Sequence, residues 1–396
     1  MLFLINIFVA LLALVFSASA APVPKEAEPT ITVPITRRRD SLTESESDIV
    51  DFRKVSNHLS HVSNKYTKTM ANYEINTGKA HPLRKHHNNK STERRSSGTV
   101  KLVDVDHGTL WHGAITLGGK TTQCDFDTGS ADIIINPEGY TPGSSSKKTG
   151  NTFTASYGDG TTASGAVYTD TISVGGLKAS GVSIGRSSSD FVSFAQEGDQ
   201  GICGLSYPSL SVLGSGSTPF FDGLMNSKVL TKDVFTFTLA SKGSTLHLGG
   251  VSPAGSSPVY TSVDPSEGYW TVSDSSINGI ATASIVDTGT SLIVAPVAFA
   301  QSLFQAVGAT TFSQDGTLFG SYDCKSAPTV TYKMGSFSQK LSASTMTIGK
   351  TSEGACILSV VGQDTGLNAV IAGDSFLANV HATFDRTNNQ VGFTSQ

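Results

Sequence analysis

The strongest constraint on this chain is a repeated segment, because any fold it adopts must accommodate both copies. Phe126-Asp127-Thr128-Gly129-Ser130-Ala131-Asp132-Ile133-Ile134-Ile135 returns as Val286-Asp287-Thr288-Gly289-Thr290-Ser291-Leu292-Ile293-Val294-Ala295. Each copy runs apolar residue, Asp-Thr-Gly, hydroxyl residue, apolar strand. Each is followed at a similar distance by two small or apolar residues and a glycine. In Ile202-Cys203-Gly204 the glycine lies 77 residues after Asp127, and in Ile371-Ala372-Gly373 it lies 86 after Asp287. Two related lobes are the simplest arrangement. A length of 396 residues agrees, since a single core stops growing at about 250–300 residues.

After Val100, apolar residues alternate with polar ones and the runs end in glycine pairs, as in Ile115-Thr116-Leu117-Gly118-Gly119, Ile172-Ser173-Val174-Gly175-Gly176 and Leu246-His247-Leu248-Gly249-Gly250. This predicts short strands and tight turns in a mainly β body, with helices confined to pieces such as 219–225 and 297–307. A third Asp-Thr-Gly, at Asp364, leads into no apolar strand and reads as an ordinary turn. Gly181-Val182-Ser183-Ile184-Gly185 has the spacing of a nucleophile elbow but is followed by Arg186-Ser187-Ser188-Ser189 rather than a helix pattern, so it reads as an alternating strand.

The net charge of -4 hides a division. Residues 1–95 hold 14 Lys and Arg against 9 Asp and Glu, and residues 96–396 hold 14 against 23. This is not a strongly basic nucleic-acid binder. It is a basic leader on an acidic body: either two solvated surfaces of unlike sign, or a leader that covers an acidic cleft at neutral pH. Residues 1–16 are almost wholly apolar and end in Ala18-Ser19-Ala20, which predicts a signal peptide (1–20) cleaved after Ala20, with a signal anchor as the rival. Residues 21–95 read as a prosegment or as a disordered basic linker. Arg94-Arg95 before Ser96-Ser97-Gly98 offers a dibasic cut and a mature start near Ser96. The body is expected to divide into an N-terminal lobe, 96–235, and a C-terminal lobe, 236–396.

Chemistry follows from the repeat. In each copy glycine allows a sharp turn beneath the carboxylate, while the threonine and the following Ser130 or Thr290 supply hydroxyls to orient it. One Asp from each lobe, meeting across a cleft, cannot readily ionise together with its partner, so one proton is held between them over an acidic range. The ionised member can take a proton from water while the protonated member polarises a carbonyl. Peptide-bond hydrolysis is the reaction this predicts.

These residues, with Tyr157-Gly158-Asp159-Gly160, the stretch 201–208, Ile371-Ala372-Gly373-Asp374-Ser375-Phe376 and Phe384-Asp385-Arg386, give a chain that resembles the pepsin-like aspartic proteases, in particular their secreted fungal branch. The resemblance covers residues 100–396. It implies a mainly β, bilobal pepsin-like fold, two pseudo-symmetric β lobes with a cleft between them, and a monomer made as a zymogen. Its partners would be extended protein or peptide substrates and its own prosegment, not nucleic acid or membrane. By resemblance Asp127 and Asp287 form the catalytic dyad, Ser130 and Thr290 bond its outer oxygens, and Thr128 and Thr288 interlock the loops that carry Gly129 and Gly289. Tyr157, Gly158 and Asp159 would form a substrate-binding flap. Many members carry a Trp seven residues after the first catalytic Asp; here it is Ile134, which removes an expected partner of Tyr157.

Asp159 and Asp125 are candidate subsite carboxylates for Lys before the cut, with a role in stabilising the flap turn as the plain alternative for Asp159. Phe191 and Phe194 are wall or core candidates. A Cys324–Cys356 disulfide is implied by the resemblance, while Cys124 and Cys203 are left as a pair or as buried thiols. No zinc-type spacing occurs and no cofactor is implied. The only sequon is Asn89-Lys90-Ser91. Two rival functions remain: a silent relative that binds protein in the same cleft, and a glycoside hydrolase, since paired carboxylates also cleave sugars.

Overall fold

The computed structural model describes residues 31–37, 42–44, 47–85, 111–156, 162–190, 199–240, 243–255 and 257–396. The expected signal peptide, the dibasic site, the sequon, residues 157–161 and both Phe191 and Phe194 lie outside the described residues.

Among the described residues strands dominate and sort into three sheets of eight, ten and six strands. The eight-stranded sheet is built on the first copy of the repeat, the ten-stranded sheet on the second, and the six-stranded sheet joins Val234–Thr238, Thr245–Leu248 and Val259–Ser262 to the C-terminal strands Val380–Asp385 and Gln390–Ser395. Strand Val234–Thr238 spans the expected lobe boundary at 235/236 and belongs to this shared platform. The glycine pairs turn the hairpins as expected: Gly118 and Gly119 have φ of 57° and 95°, and Gly175 and Gly176 have 56° and 91°, a conformation that costs glycine little. Helices at Phe220–Asn226 and Val297–Ala306 fall within a residue or so of the two predicted pieces. The elbow-like segment lies inside strand Leu177–Ser187 with Val182 and Ile184 both buried. The third Asp-Thr-Gly is a turn with Gly366 at φ 74°.

The leader is where the structure adds most. Ile31–Pro34 pairs antiparallel with Thr245–Leu248 at one end of the six-stranded sheet. Thr36–Arg37 then pairs with Trp111–Leu117 at the end of the eight-stranded sheet. A 26-residue helix, Phe52–Thr77, follows. Asp51 caps its start by accepting the N–H groups of Arg53 and Lys54, and Gly78, left-handed at φ 72°, ends it. Val55, Leu59, Val62, Tyr66, Met70 and Tyr73 recur at helical spacing and are all buried, so the helix presents one apolar stripe. That stripe packs into a cluster with Ala131 of the first lobe and Leu292, Phe319, Ile357 and Ile371 of the second. The helix therefore lies along the seam between the lobes. The stretch 21–95, read from the sequence as a prosegment or a disordered basic linker, has no core of its own; over Phe52–Thr77 it is a helix whose stripe borrows the core of the body.

Candidate active site

Strand Lys120–Asp127 delivers Asp127 at its last residue, and the chain turns back as Ile133–Ile135. Strand Asp199–Gly204 lies between them, parallel to the first with Asp127 opposite Gly204 and antiparallel to the second with Ile133 opposite Cys203. The second copy repeats this: Val286 pairs with Ala372 in parallel and Ile293 pairs with Ala372 antiparallel. The small-small-Gly pieces are needed because they thread each Asp-Thr-Gly loop. A Cβ on Gly373 would stand 2.1 Å from the carbonyl oxygen of Thr290, and one on Gly204 would stand 2.5 Å from that of Ser130.

The two loops meet through their threonines. Thr128 N–H donates to Thr288 Oγ1 and Thr288 N–H to Thr128 Oγ1, both at 3.0 Å. Each hydroxyl donates in turn to the residue before the opposite Asp, Thr128 Oγ1 to the Val286 carbonyl at 2.9 Å and Thr288 Oγ1 to the Phe126 carbonyl at 2.7 Å. Above this floor, Gly129 N–H donates to Asp127 Oδ1 at 2.8 Å and Gly289 N–H to Asp287 Oδ1 at 2.9 Å. The carboxyls cross: a Cβ on Gly129 would strike Asp287, and one on Gly289 would strike Asp127. Thr290 Oγ1 donates to Asp287 Oδ2 at 2.6 Å. Ser130, its counterpart, lies beside Asp127 closely enough to lower its pKa, but its buried hydroxyl makes no hydrogen bond of acceptable geometry among the described residues. The pair is asymmetric.

Two leader side chains close the site, and sequence reasoning missed both. Lys65 Nζ donates to Asp127 Oδ1 at 3.2 Å, to Asp287 Oδ2 at 2.8 Å and to the Gly289 carbonyl at 3.4 Å. Tyr66 donates its hydroxyl to Asp287 Oδ2 at 2.9 Å. The signal that could have found them is the helical stripe through Val55, Leu59, Val62 and Tyr66, which sets Lys65 beside its buried edge.

Two Asp-Thr-Gly loops joined in this way fit one family, and residues 111–396 match the sequence profile of the eukaryotic aspartyl proteases. The chain belongs to that family. It is similar to secreted aspartyl protease 1 of Malassezia globosa, with 37% identity over 95% of each chain, and to penicillopepsin-1 of Penicillium janthinellum, with 29% identity over 71% of this chain and 94% of the relative. Its fold matches the crystal structure of the aspartic proteinase from Irpex lacteus at a TM-score of 0.62 and 22% identity, over 72% of this chain and 94% of that one. The protein is thus a pepsin-like, aspartic-type endopeptidase, with peptides as substrates.

In this protease the electrostatics of the two carboxyls diverge. Burial raises Asp127 to about 6, with Lys65 pulling against it and Asp287 adding to it. Burial also acts to raise Asp287, but the Lys65 charge and hydrogen bonds from Asp127, Lys65 and Thr290 outweigh it and hold the group below the usual carboxylate range. Lys65 is held above its ordinary value: burial opposes this, and the two carboxylates more than compensate.

Asp125 is buried and lines the same narrow space as Asp127, together with His61, Trp111, Ile202, Thr288 and Gly289. Ile134 packs with Phe153, Ala155, Ala163, Val167 and Leu213, under the hairpin of Lys147–Ser156 and Thr162–Val174. The tip of that hairpin, with the expected flap residues Tyr157, Gly158 and Asp159, lies outside the described residues. Cys324 is bridged to Cys356, and Cys124 to Cys203, which resolves the second pair as a disulfide fastening the strands directly beneath the first loop. Among the described residues, no group of three or more His, Cys, Asp or Glu is placed to hold a metal.

Proposed function

We propose that this chain is the zymogen of a secreted protease that cuts extended polypeptides at acid pH, with Asp127 and Asp287 as its catalytic dyad. The observation that carries this reading is the Lys65 ammonium, which rides on the leader helix and touches both carboxylates. A cation in that place neutralises the pair, excludes water from it and blocks the cleft.

With Lys65 withdrawn, the chief charge that depresses Asp287 is gone and the pair shares one proton. The ionised carboxylate takes a proton from water, whose oxygen attacks the scissile carbonyl carbon, while the protonated partner gives its proton to the carbonyl oxygen. The tetrahedral diol collapses with a proton passed to the departing nitrogen, and no covalent adduct to the enzyme forms. Thr290, Gly129 and Gly289 hold the carboxyls in line, and substrate would lie between the lobes as an added strand held by its backbone.

Secretion follows from the apolar residues 1–16 with Ala18-Ser19-Ala20, and is supported by the likeness to a secreted relative. Cleavage after Ala20 and at Arg94-Arg95 would release a monomeric body near Ser96. Asp125, buried beside Asp127, together with Asp159, supports acceptance of Lys as well as bulky apolar residues before the cut. An Asp159→Ala enzyme that still cut after Lys as well as after Phe or Leu would remove that part of the reading.

The central test is digestion of casein or haemoglobin across pH, with and without pepstatin. Pepstatin-sensitive cleavage at acid pH, absent from Asp127→Asn, is the expected result; equal cleavage by Asp127→Asn overturns the dyad.

A further inference from the structure

The leader helix buries a second chemically distinctive side chain two turns before Lys65. His58 lies on the same face, is 4% exposed, and its Nε2 accepts the backbone N–H of Ser291 at 3.2 Å. Ser291 follows Thr290, whose hydroxyl holds Asp287, and its own carbonyl is fixed by the N–H and hydroxyl of Ser375. The Ser291 donor is therefore tied by hydrogen bonds into the active-site floor. An imidazole nitrogen can accept that N–H only while it carries a free lone pair, and in the imidazolium both nitrogens carry hydrogen. Docking thus selects the neutral form of His58.

We propose that His58 is the acid trigger of leader release: neutral imidazole docks on the Ser291 loop, imidazolium does not, and the helix lifts as pH falls through the histidine range. This rests on the reading of the leader as an inhibitory prosegment, and it adds to that reading the group that senses pH.

The charged surroundings agree. On its own helix His58 faces Lys65 and His61, both of which disfavour a further cation, and from the opposite wall it faces Asp287. Asp287 offers little compensation, because Lys65, Tyr66, Thr290 and the Gly289 N–H already engage it. Asp374, farther along that wall, accepts the Trp111 indole N–H. Burial, then His61 and Lys65, push His58 down to about 3, with Asp287 pulling the other way.

The sign follows from linkage. A released His58 takes up a proton below its ordinary value of 6.5, and the docked one does not until about 3. Each pH unit within that window therefore shifts the balance about tenfold toward release. The Lys65–Asp287 pair is poorly suited to this range, because Asp287 is held below the usual carboxylate values; Asp127, which burial raises to about 6, titrates within it, and its contribution is common to the wild type and both histidine variants compared below.

The test uses the full-length chain. Release is followed as the rate at which the latent protein becomes able to cleave a peptide, between pH 7 and pH 3, in wild type, His58→Gln and His61→Gln. Glutamine keeps an oxygen to accept the Ser291 N–H and does not titrate. The expected result is a wild-type rate that climbs about tenfold per unit from pH 6.5 downward, a His58→Gln midpoint at least one unit lower, and a His61→Gln midpoint close to wild type. A latent His58→Gln chain with an unchanged midpoint overturns the trigger. So does a wild-type rate that is flat from pH 6.5 to 5 and rises only below 4, a measurement that does not depend on the variant folding. A wild-type full-length chain that on first transfer to acid already cleaves peptide as fast as the leader-free body would sink the zymogen reading itself, whereas latency with an unmoved midpoint would sink the trigger alone.

Discussion

Thr128 and Thr288 each accept the other's backbone N–H at 3.0 Å, across 160 residues of chain. Neither lobe completes its own catalytic loop: the hydroxyl that satisfies one comes from the other, and all four donors are buried. Removing one hydroxyl leaves a buried N–H and a buried carbonyl unpaired, at about 1–3 kcal/mol for each group. Thr288→Ala is expected to lower stability by about 2–4 kcal/mol in denaturant unfolding of the full chain and to depress kcat more than KM, because it loosens the dyad rather than the substrate groove. An unchanged midpoint with unchanged kcat would mean that the crossed bonds are dispensable.

Lys65→Met should leave a chain that is no longer latent. The two carboxylates lose their shared cation, one of them takes a proton, and the helix retains its apolar stripe. Breaking a buried pair costs about 3–5 kcal/mol, so docking should weaken by about a hundredfold or more. The check is the initial rate of peptide cleavage by the uncut chain at mildly acid pH, taken before the wild-type leader has lifted. A silent Lys65→Met chain would show that the stripe alone closes the cleft.

Asp132 gives a pH-dependent stability term in the body. It is fully buried, accepts from Ser211 Oγ and Val212 N–H, both at 2.6 Å, and burial raises it from 3.8 to about 6. The folded chain therefore holds the proton more tightly than the unfolded one. The contribution is complete below 3.8 and is lost as pH climbs through about 6, amounting to about 2–3 kcal/mol. In an Asp127→Asn background, which prevents self-digestion, Asp132→Asn should be more stable than its parent by that amount at pH 7 and nearly equal at pH 4. A gap of the same size at both pH values would contradict this account.

The Cys124–Cys203 bridge closes a loop of 79 residues with both partners buried. A cross-link of that span restricts the unfolded chain by about 4 kcal/mol. Cys124→Ala with Cys203→Ala should lower the unfolding midpoint accordingly, and intact mass should show no free thiol under native conditions even with mild reductant. Ready labelling of Cys124 in the folded protein would contradict the burial on which this rests.

The pattern of what could be read in advance has a physical cause. The dyad was legible because the loops that carry it need particular residues: Gly204 and Gly373 admit no Cβ, and positions 128 and 288 need a short side chain that both donates and accepts, which a hydroxyl on Cβ supplies. The hairpin turns were legible because positive φ favours glycine. The leader helix was obscured because its stripe takes one residue in three or four, among Ser, Asn, Lys and His that are ordinary on a solvated surface, and its partner surface lies more than two hundred residues away in places such as Leu292 and Phe319. Lys65 was hidden for the same reason, as one of several lysines in a basic stretch until a fold sets it against Asp287. Ile134, which stands where many relatives carry a Trp, is a packing residue in the small core under the hairpin; Tyr157 lies outside the described residues.

Two of the leader's grips on the body lie far apart. Its helix sits over the carboxyls, and residues Ile31–Pro34 are hydrogen-bonded along Thr245–Leu248 on the far platform. Cutting the backbone near Arg95 severs neither contact, so a nicked chain would still carry its inhibitor as a clamped fragment. Peeling that strand away bares a row of backbone donors and acceptors that another polypeptide could zip onto. On the zymogen reading proposed above, maturation would be a problem of dissociation as much as of proteolysis, and a nicked intermediate should still co-purify with its leader at neutral pH.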